Sequence, residues 1–95
     1  MRNHLSSIHA GALFTLAETT GNLALMSITP DNGRWIVTGM DIEYQKKARG
    51  LLIAETILGE LDWSRSHEVR GETRIFDEQG DTVAKAEHRW RVSPK

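Results

Sequence analysis

Apolar side chains recur at spacings of three and four in the first third of the chain. Ala10, Leu13, Phe14, Ala17, Gly21, Ala24 and Leu25 therefore share one face of a helix. Leu16, Leu23 and Met26 carry apolar surface round to its other sides, a pattern expected of a helix buried over most of its circumference. The helix is predicted over about residues 10–27. Ser6 or Ser7 caps it, Ile8 packs back onto it, and Pro30, Asp31, Asn32 and Gly33 stop it. One polar line breaks the apolar pattern. Gly11, Thr15, Glu18 and Asn22 also follow the three-four spacing, and they stack beside the apolar face. A carboxylate on a mostly buried helix costs free energy unless it is paired or put to use.

After Gly33 the period changes to two. Ile36, Thr38, Met40, Ile42 and Tyr44 alternate with Val37, Gly39, Asp41 and Glu43, and the first set is expected to face the helix. A polar connection, residues 45–50, leads to a second strand over 51–58, rich in Leu and Ile. Residues 59–66 read as a turn or bulge, and pattern assigns no role to Trp63 within it. The third strand, 68–76, sets Val69, Gly71, Thr73 and Ile75 against Glu68, Arg70, Glu72 and Arg74. Asp77 to Gly80 is a hairpin turn whose Gly wants positive φ. The last strand, 82–92, sets Ala84, Ala86, His88 and Trp90 against Lys85, Glu87, Arg89 and Arg91. One apolar helix followed by about four antiparallel strands predicts an α+β domain in which a curved sheet wraps the helix. The small side chains of Ala84 and Ala86 let the two approach closely.

Ninety-five residues make a single small domain, residues 1–95. A net charge of −1 gives no electrostatic case for nucleic acid or a membrane surface. The absence of cysteine excludes disulfides and thiolate metal sites. His4, His67 and His88 show no metal-ligand spacing, so no metal is expected. No run reaches the ~18 apolar residues of a membrane span. The first residues make no signal peptide, so a cytoplasmic location is expected.

Asn3, His9, Gly11 and Glu18 form an Asn-x5-His-x-Gly-x6-Glu pattern. It resembles the active-site segment of hot-dog-fold acyl-CoA thioesterases, most closely the phenylacetate-type and 4-hydroxybenzoyl-CoA branch. That branch usually reads His-Gly-Gly, then six residues ending in Leu-Ala, then Asp or Glu. This chain reads His9-Ala10-Gly11, then Leu16-Ala17-Glu18. The helix-then-strands order and the Asp-x-x-Gly turn before Val83-Ala84-Lys85-Ala86 are also similar to the family. Hot-dog domains normally carry a further strand ahead of the Asn-x5-His segment. The resemblance is therefore to an N-terminally short member, with that first strand absent and a sheet edge left bare.

The resemblance implies hydrolysis of an acyl-CoA or aryl-CoA thioester, with coenzyme A as part of the substrate and no further cofactor. Glu18 would be nucleophile or general base. The backbone N–H of Ala10, at the start of the helix, would hold the oxyanion. Gly11 would permit close approach, and His9 and Asn3 would position the thioester. Asn22 stands where the family often has Ser or Thr orienting water or substrate, and Thr15 lies on the same line. Lys46, Lys47 and Arg49 are candidates for the coenzyme A phosphates. At ~1.5 Å rise per residue, Ala10 and Glu18 of one helix are roughly 12 Å apart, so one thioester carbonyl cannot meet both. Two helices antiparallel about a two-fold axis bring them together, which calls for a homodimer or a dimer of dimers. The alternative is a dimer that binds an acyl-CoA or acyl-carrier thioester without cleaving it. The replacement of the family's Gly by Ala10 and of its Ser or Thr by Asn22 is the reason to consider it.

Overall fold

The structure is a computed structural model and describes residues 2–5 and 10–95, with residues 2–5 and Ala10 described by their backbone alone. The serine caps expected at Ser6 and Ser7, and the packing of Ile8, lie outside the described residues. In chain order the elements are β1 (Arg2–Leu5), α1 (Ala10–Ile28), β2 (Gly33–Tyr44), β3 (Leu52–Leu58), β4 (His67–Phe76) and β5 (Thr82–Pro94). The strands form one antiparallel sheet in the order β1-β3-β4-β5-β2. The four expected strands are present. A sheet edge was expected to be bare for want of a strand ahead of the helix, but the four-residue strand β1 lies on the β3 edge, with Asn3 in register with Ala54.

Helix α1 lies across the sheet, chiefly over β3 and β4. Leu13, Leu16 and Ala17 pack with Leu52, Ala54, Ile75 and Ala84 in one core cluster. Leu25 packs with Val69, Trp90 and Val92 in a second, which Trp35, Leu58, Leu61 and Trp63 cover. Trp63, without a role in the pattern, lies over Gly33, where a Cβ would stand 2.8 Å from its ring. The inner faces of β4 and β5 follow the predicted alternation, including the close approach at Ala84 and Ala86.

Two expectations change. The inward phase expected of β2 holds only from Met40 onward. A register shift between Val37 and Gly39 inserts Thr38 as an extra residue. Before it Trp35 and Val37 stand opposite Val92 and Trp90, on the helix side, and Ile36 points outward, 63% exposed. Beyond it Met40, Ile42 and Tyr44 oppose His88, Ala86 and Ala84. A one-residue slip turns every side chain over, and no local pattern announces where the slip falls. The second change concerns the helix, which is buried on one side only. Phe14 and Leu23 are each 38% exposed and Met26 is 55% exposed, so much of the apolar surface read as core faces outward in the single chain.

The β4–β5 turn forms as predicted. Gly80 has φ +84°, its N–H donates to the Asp77 carbonyl at 3.0 Å, and Asp77 Oδ1 accepts from the N–H groups of Gln79 and Asp81.

Candidate functional site on the outer face of the helix

The line Gly11, Thr15, Glu18 and Asn22 runs along the side of α1 turned away from the sheet. Leu13, Leu16, Ala17, Thr20 and Ala24 occupy the opposite, buried side. At 100° per residue, Glu18 and Asn22 fall within about 40° of each other, one turn apart. Gly11, Thr15 and Glu18 are exposed, and Asn22 is half-buried. Among the described residues no hydrogen bond or ion pair holds the Glu18 carboxylate. The expected cost of a buried carboxylate therefore does not arise in the single chain. Thr15 Oγ1 donates back to the Gly11 carbonyl at 3.1 Å. Ala10 is the first residue of α1, where the backbone N–H has no partner within the helix. Asn3 is described only as a β1 backbone position, and His9 lies outside the described residues.

Asn22 is tied to the core. Its Oδ1 accepts a hydrogen bond from Trp90 Nε1 at 3.0 Å. Trp90 is fully buried and stacks on His88, with ring centroids 4.8 Å apart and planes 10° from parallel. His88 Nε2 shares a 2.6 Å hydrogen bond with Thr73 Oγ1, which shares another of 2.6 Å with Thr56 Oγ1. Two glycines make room for this column. A Cβ on Gly21 would lie 2.4 Å from the His88 ring, and one on Gly71 would lie 2.7 Å from that of Trp90. Burial drives the His88 imidazole down to a pKa of about 4, so it is neutral at ordinary pH. The Thr20 hydroxyl, also buried, has no hydrogen-bond partner among the described residues.

The basic cluster belongs elsewhere. Lys46 Nζ bridges Asp77 at 2.8 Å and Asp81 at 3.1 Å, and these hydrogen bonds hold its pKa above the ordinary lysine value. It locks the β2–β3 connection onto the β4–β5 turn, and buried Ala48 anchors the same connection in the core. Lys47 and Arg49 are exposed beside it. The groove they line with Lys46 also contains Asp77 and Glu78 and no described residue of α1. The structure thus groups Glu18, Thr15, Gly11 and Asn22 along one helix and leaves the three basic residues outside that group. Among the described residues no cluster of three or more His, Asp or Glu side chains is placed to hold a metal ion. No described helix is long and apolar enough to cross a membrane.

The family follows from the whole chain. A family model described as a domain of unknown function, DUF4442, matches residues 1–92. The chain belongs to that family. Solved structures with the same fold include a Pseudomonas aeruginosa protein described as a probable thioesterase. It is 27% identical, with a TM-score of 0.79 over 98% of this chain and 69% of its own. A Bacillus halodurans protein solved with CoA is 20% identical, with a TM-score of 0.81 over 96% of this chain and 66% of its own. A Haemophilus influenzae thioesterase is 17% identical, with a TM-score of 0.77 over 90% of this chain and 59% of its own. This DUF4442 chain thus spans between 59% and 69% of the length of these three structures. No curated protein sequence matches it. Fold and family place it in the hot-dog, acyl-CoA thioesterase-like superfamily.

Sequence reasoning missed the column behind Asn22. Its signal was present, in that His88 and Thr73 fall on the inward side of alternating strands, where polar side chains need partners. Which partners they find depends on register across β3, β4 and β5.

Proposed function

We propose that this DUF4442 protein hydrolyses an acyl-CoA or aryl-CoA thioester at a site shared by two copies of the chain. The observation that carries the reading is the bare outer face of α1. There the Glu18 carboxylate, without a partner among the described residues, lies on the exposed side of a helix whose opposite side is packed, and that exposed side also carries Phe14, Leu23 and Met26. Strand β2, twelve residues long, is an outer strand of the sheet and among the described residues pairs only with β5, so it offers a second copy an open edge. A two-fold partner laid against this face would cover the apolar side chains. It would also bring its Ala10 N–H toward Glu18, across the roughly 12 Å that separates them in one helix.

In that arrangement the partner's Ala10 N–H donates to the thioester oxygen as it gains negative charge, and the dipole of the partner helix supports it. Glu18 takes a proton from water while the water oxygen bonds to the acyl carbon. The C–S bond then breaks and the thiol leaves with the proton. In the alternative route the Glu18 carboxylate itself attacks the acyl carbon, and water cleaves the resulting mixed anhydride. His9 and Asn3, by their place in the pattern, position the acyl group. The replacement of the family's Gly by Ala10 keeps the N–H and adds a methyl group, which narrows the slot. Lys47 and Arg49 are the members of the basic cluster with charge to spare for coenzyme A phosphates.

The test is free-thiol release from a panel of CoA thioesters. Glu18→Ala is expected to lower turnover by at least a thousandfold while leaving the thermal unfolding midpoint and the dimer unchanged. Equal turnover by wild type and variant would remove Glu18 from the chemistry. Tight binding of the thioesters without thiol release in the wild type would favour the second reading, a dimer that holds an acyl thioester intact. The departures at Ala10 and Asn22 are what favour that reading.

A further inference from the structure

The Trp90 hydrogen bond fixes which way round the Asn22 carboxamide sits. An asparagine amide has a donor end and an acceptor end of nearly equal shape, and its surroundings decide its orientation. An indole N–H can only donate. Trp90 Nε1 lies 3.0 Å from the Asn22 amide, so the atom facing it must be the oxygen. Trp90 has no freedom to turn away. It is fully buried, stacked on His88 and backed by Gly71, and His88 is held in turn by Thr73. The Asn22 oxygen is therefore committed to the core, and the NH2 group is left for the outer face of α1, one turn beyond Glu18. No described residue accepts from that NH2 group.

We infer that Asn22 is a fixed hydrogen-bond donor for a carbonyl oxygen of the bound thioester ligand, and that Trp90 is the positioning residue that makes it one. The inference rests on the reading that a thioester lies along this helix face. It narrows what Asn22 does there. A Ser or Thr hydroxyl can rotate to donate or accept, whereas an amide locked by an indole offers donors only. The ligand atom it meets must be an acceptor, as the carbonyl oxygens of the acyl group and of the pantetheine arm are.

Asn22→Asp separates the two jobs of the amide. It keeps an oxygen for Trp90 and replaces the outward NH2 group by a second oxygen. Calorimetric titration with benzoyl-CoA and acetyl-CoA, on the intact protein carrying Glu18→Ala so that the thioester is not consumed and no second carboxylate stands one turn away, should show affinity for the better ligand falling at least tenfold when Asn22→Asp is added. The unfolding midpoint should stay within a few degrees. Trp90→Phe frees the amide to flip and should raise KM several-fold with a smaller change in kcat. Asn22→Ser keeps a donor and should recover most of the affinity. In proton–nitrogen NMR spectra the Trp90 indole signal should exchange slowly with solvent in wild type and in Asn22→Asp, and rapidly in Asn22→Ala. Unchanged affinity in Asn22→Asp, with Glu18→Ala inactive, would overturn the donor role and leave the hydrolase reading intact. A wild type that binds neither thioester would overturn both.

Discussion

His88 is a titratable side chain 2% exposed in the centre of a small core. Burial has pulled its pKa down to about 4, below the ~6.5 of an exposed imidazole. The folded protein therefore resists taking up a proton that the unfolded chain accepts readily. Stability contributed by the neutral ring is complete above about pH 6.5. It is lost as the pH falls toward 4, at up to roughly 1.4 kcal/mol per pH unit. Urea unfolding at pH 7.5 and at pH 4.5 should show that loss, and His88→Gln should flatten it between those values. Gly21 belongs to the same site, because a methyl group there meets the His88 ring at 2.4 Å. Gly21→Ala should destabilise by about 1–3 kcal/mol, although alanine is the better helix former, because the ring is pinned by Thr73 and Trp90 and has nowhere to go. Thermal or urea unfolding measures this directly.

Among the elements, the start of α1 gives the sharpest test of a shared site. Ala10 is the first helical residue, a position where proline is well tolerated and where it removes only the N–H. Ala10→Pro should therefore fold and dimerise like wild type while losing the N–H proposed to hold the oxyanion. The variant and Glu18→Ala should each be inactive alone. Mixed and allowed to exchange subunits, they should regain roughly a quarter of wild-type thiol release, since half the dimers are mixed and each of those holds one intact site. No recovery after demonstrated exchange would mean that both groups act within one chain or not at all. Strand β2 shows a different kind of control. Its bulge at Thr38 lets Trp35 serve the core together with Met40 and Ile42, and it turns Ile36 outward.

At the scale of the whole molecule, the sheet runs along an axis of 42 Å, against 19 and 18 Å in the other directions. That length follows from the twelve and thirteen residues of β2 and β5 at ~3.3 Å each. So slender a body has little core, and it leaves Phe14, Leu23, Met26, Ile36 and Val37 partly exposed. Assembly is the expected remedy. Sedimentation equilibrium should report a dimer or a dimer of dimers at micromolar concentration. Met26→Glu, a charge on the exposed side of the last turn of α1, should weaken assembly at least tenfold. A protein that stays monomeric at all concentrations would take the shared site away with it.

Much of this architecture was legible in the residues themselves. The helix, the four long strands and the Asp77–Gly80 turn are set by short-range physics: the three-four spacing of Leu13, Ala17 and Ala24, the alternation of Val69 to Ile75, and the freedom of Gly80 at φ +84°. The line of Glu18 and Asn22 on one helix face follows from the same periodicity. Periodicity says which residues share a face, but it does not say what that face meets. Only the folded sheet decided that the Glu18 side is bare, that the bulge turns Ile36 out, that Lys46 is spent on Asp77 and Asp81, and that Asn22 is turned by Trp90. Each of these depends on contacts between residues far apart in the chain, 68 positions in the case of Asn22 and Trp90. Such contacts are fixed by strand register and by the volume left between layers, which no local stretch of sequence contains.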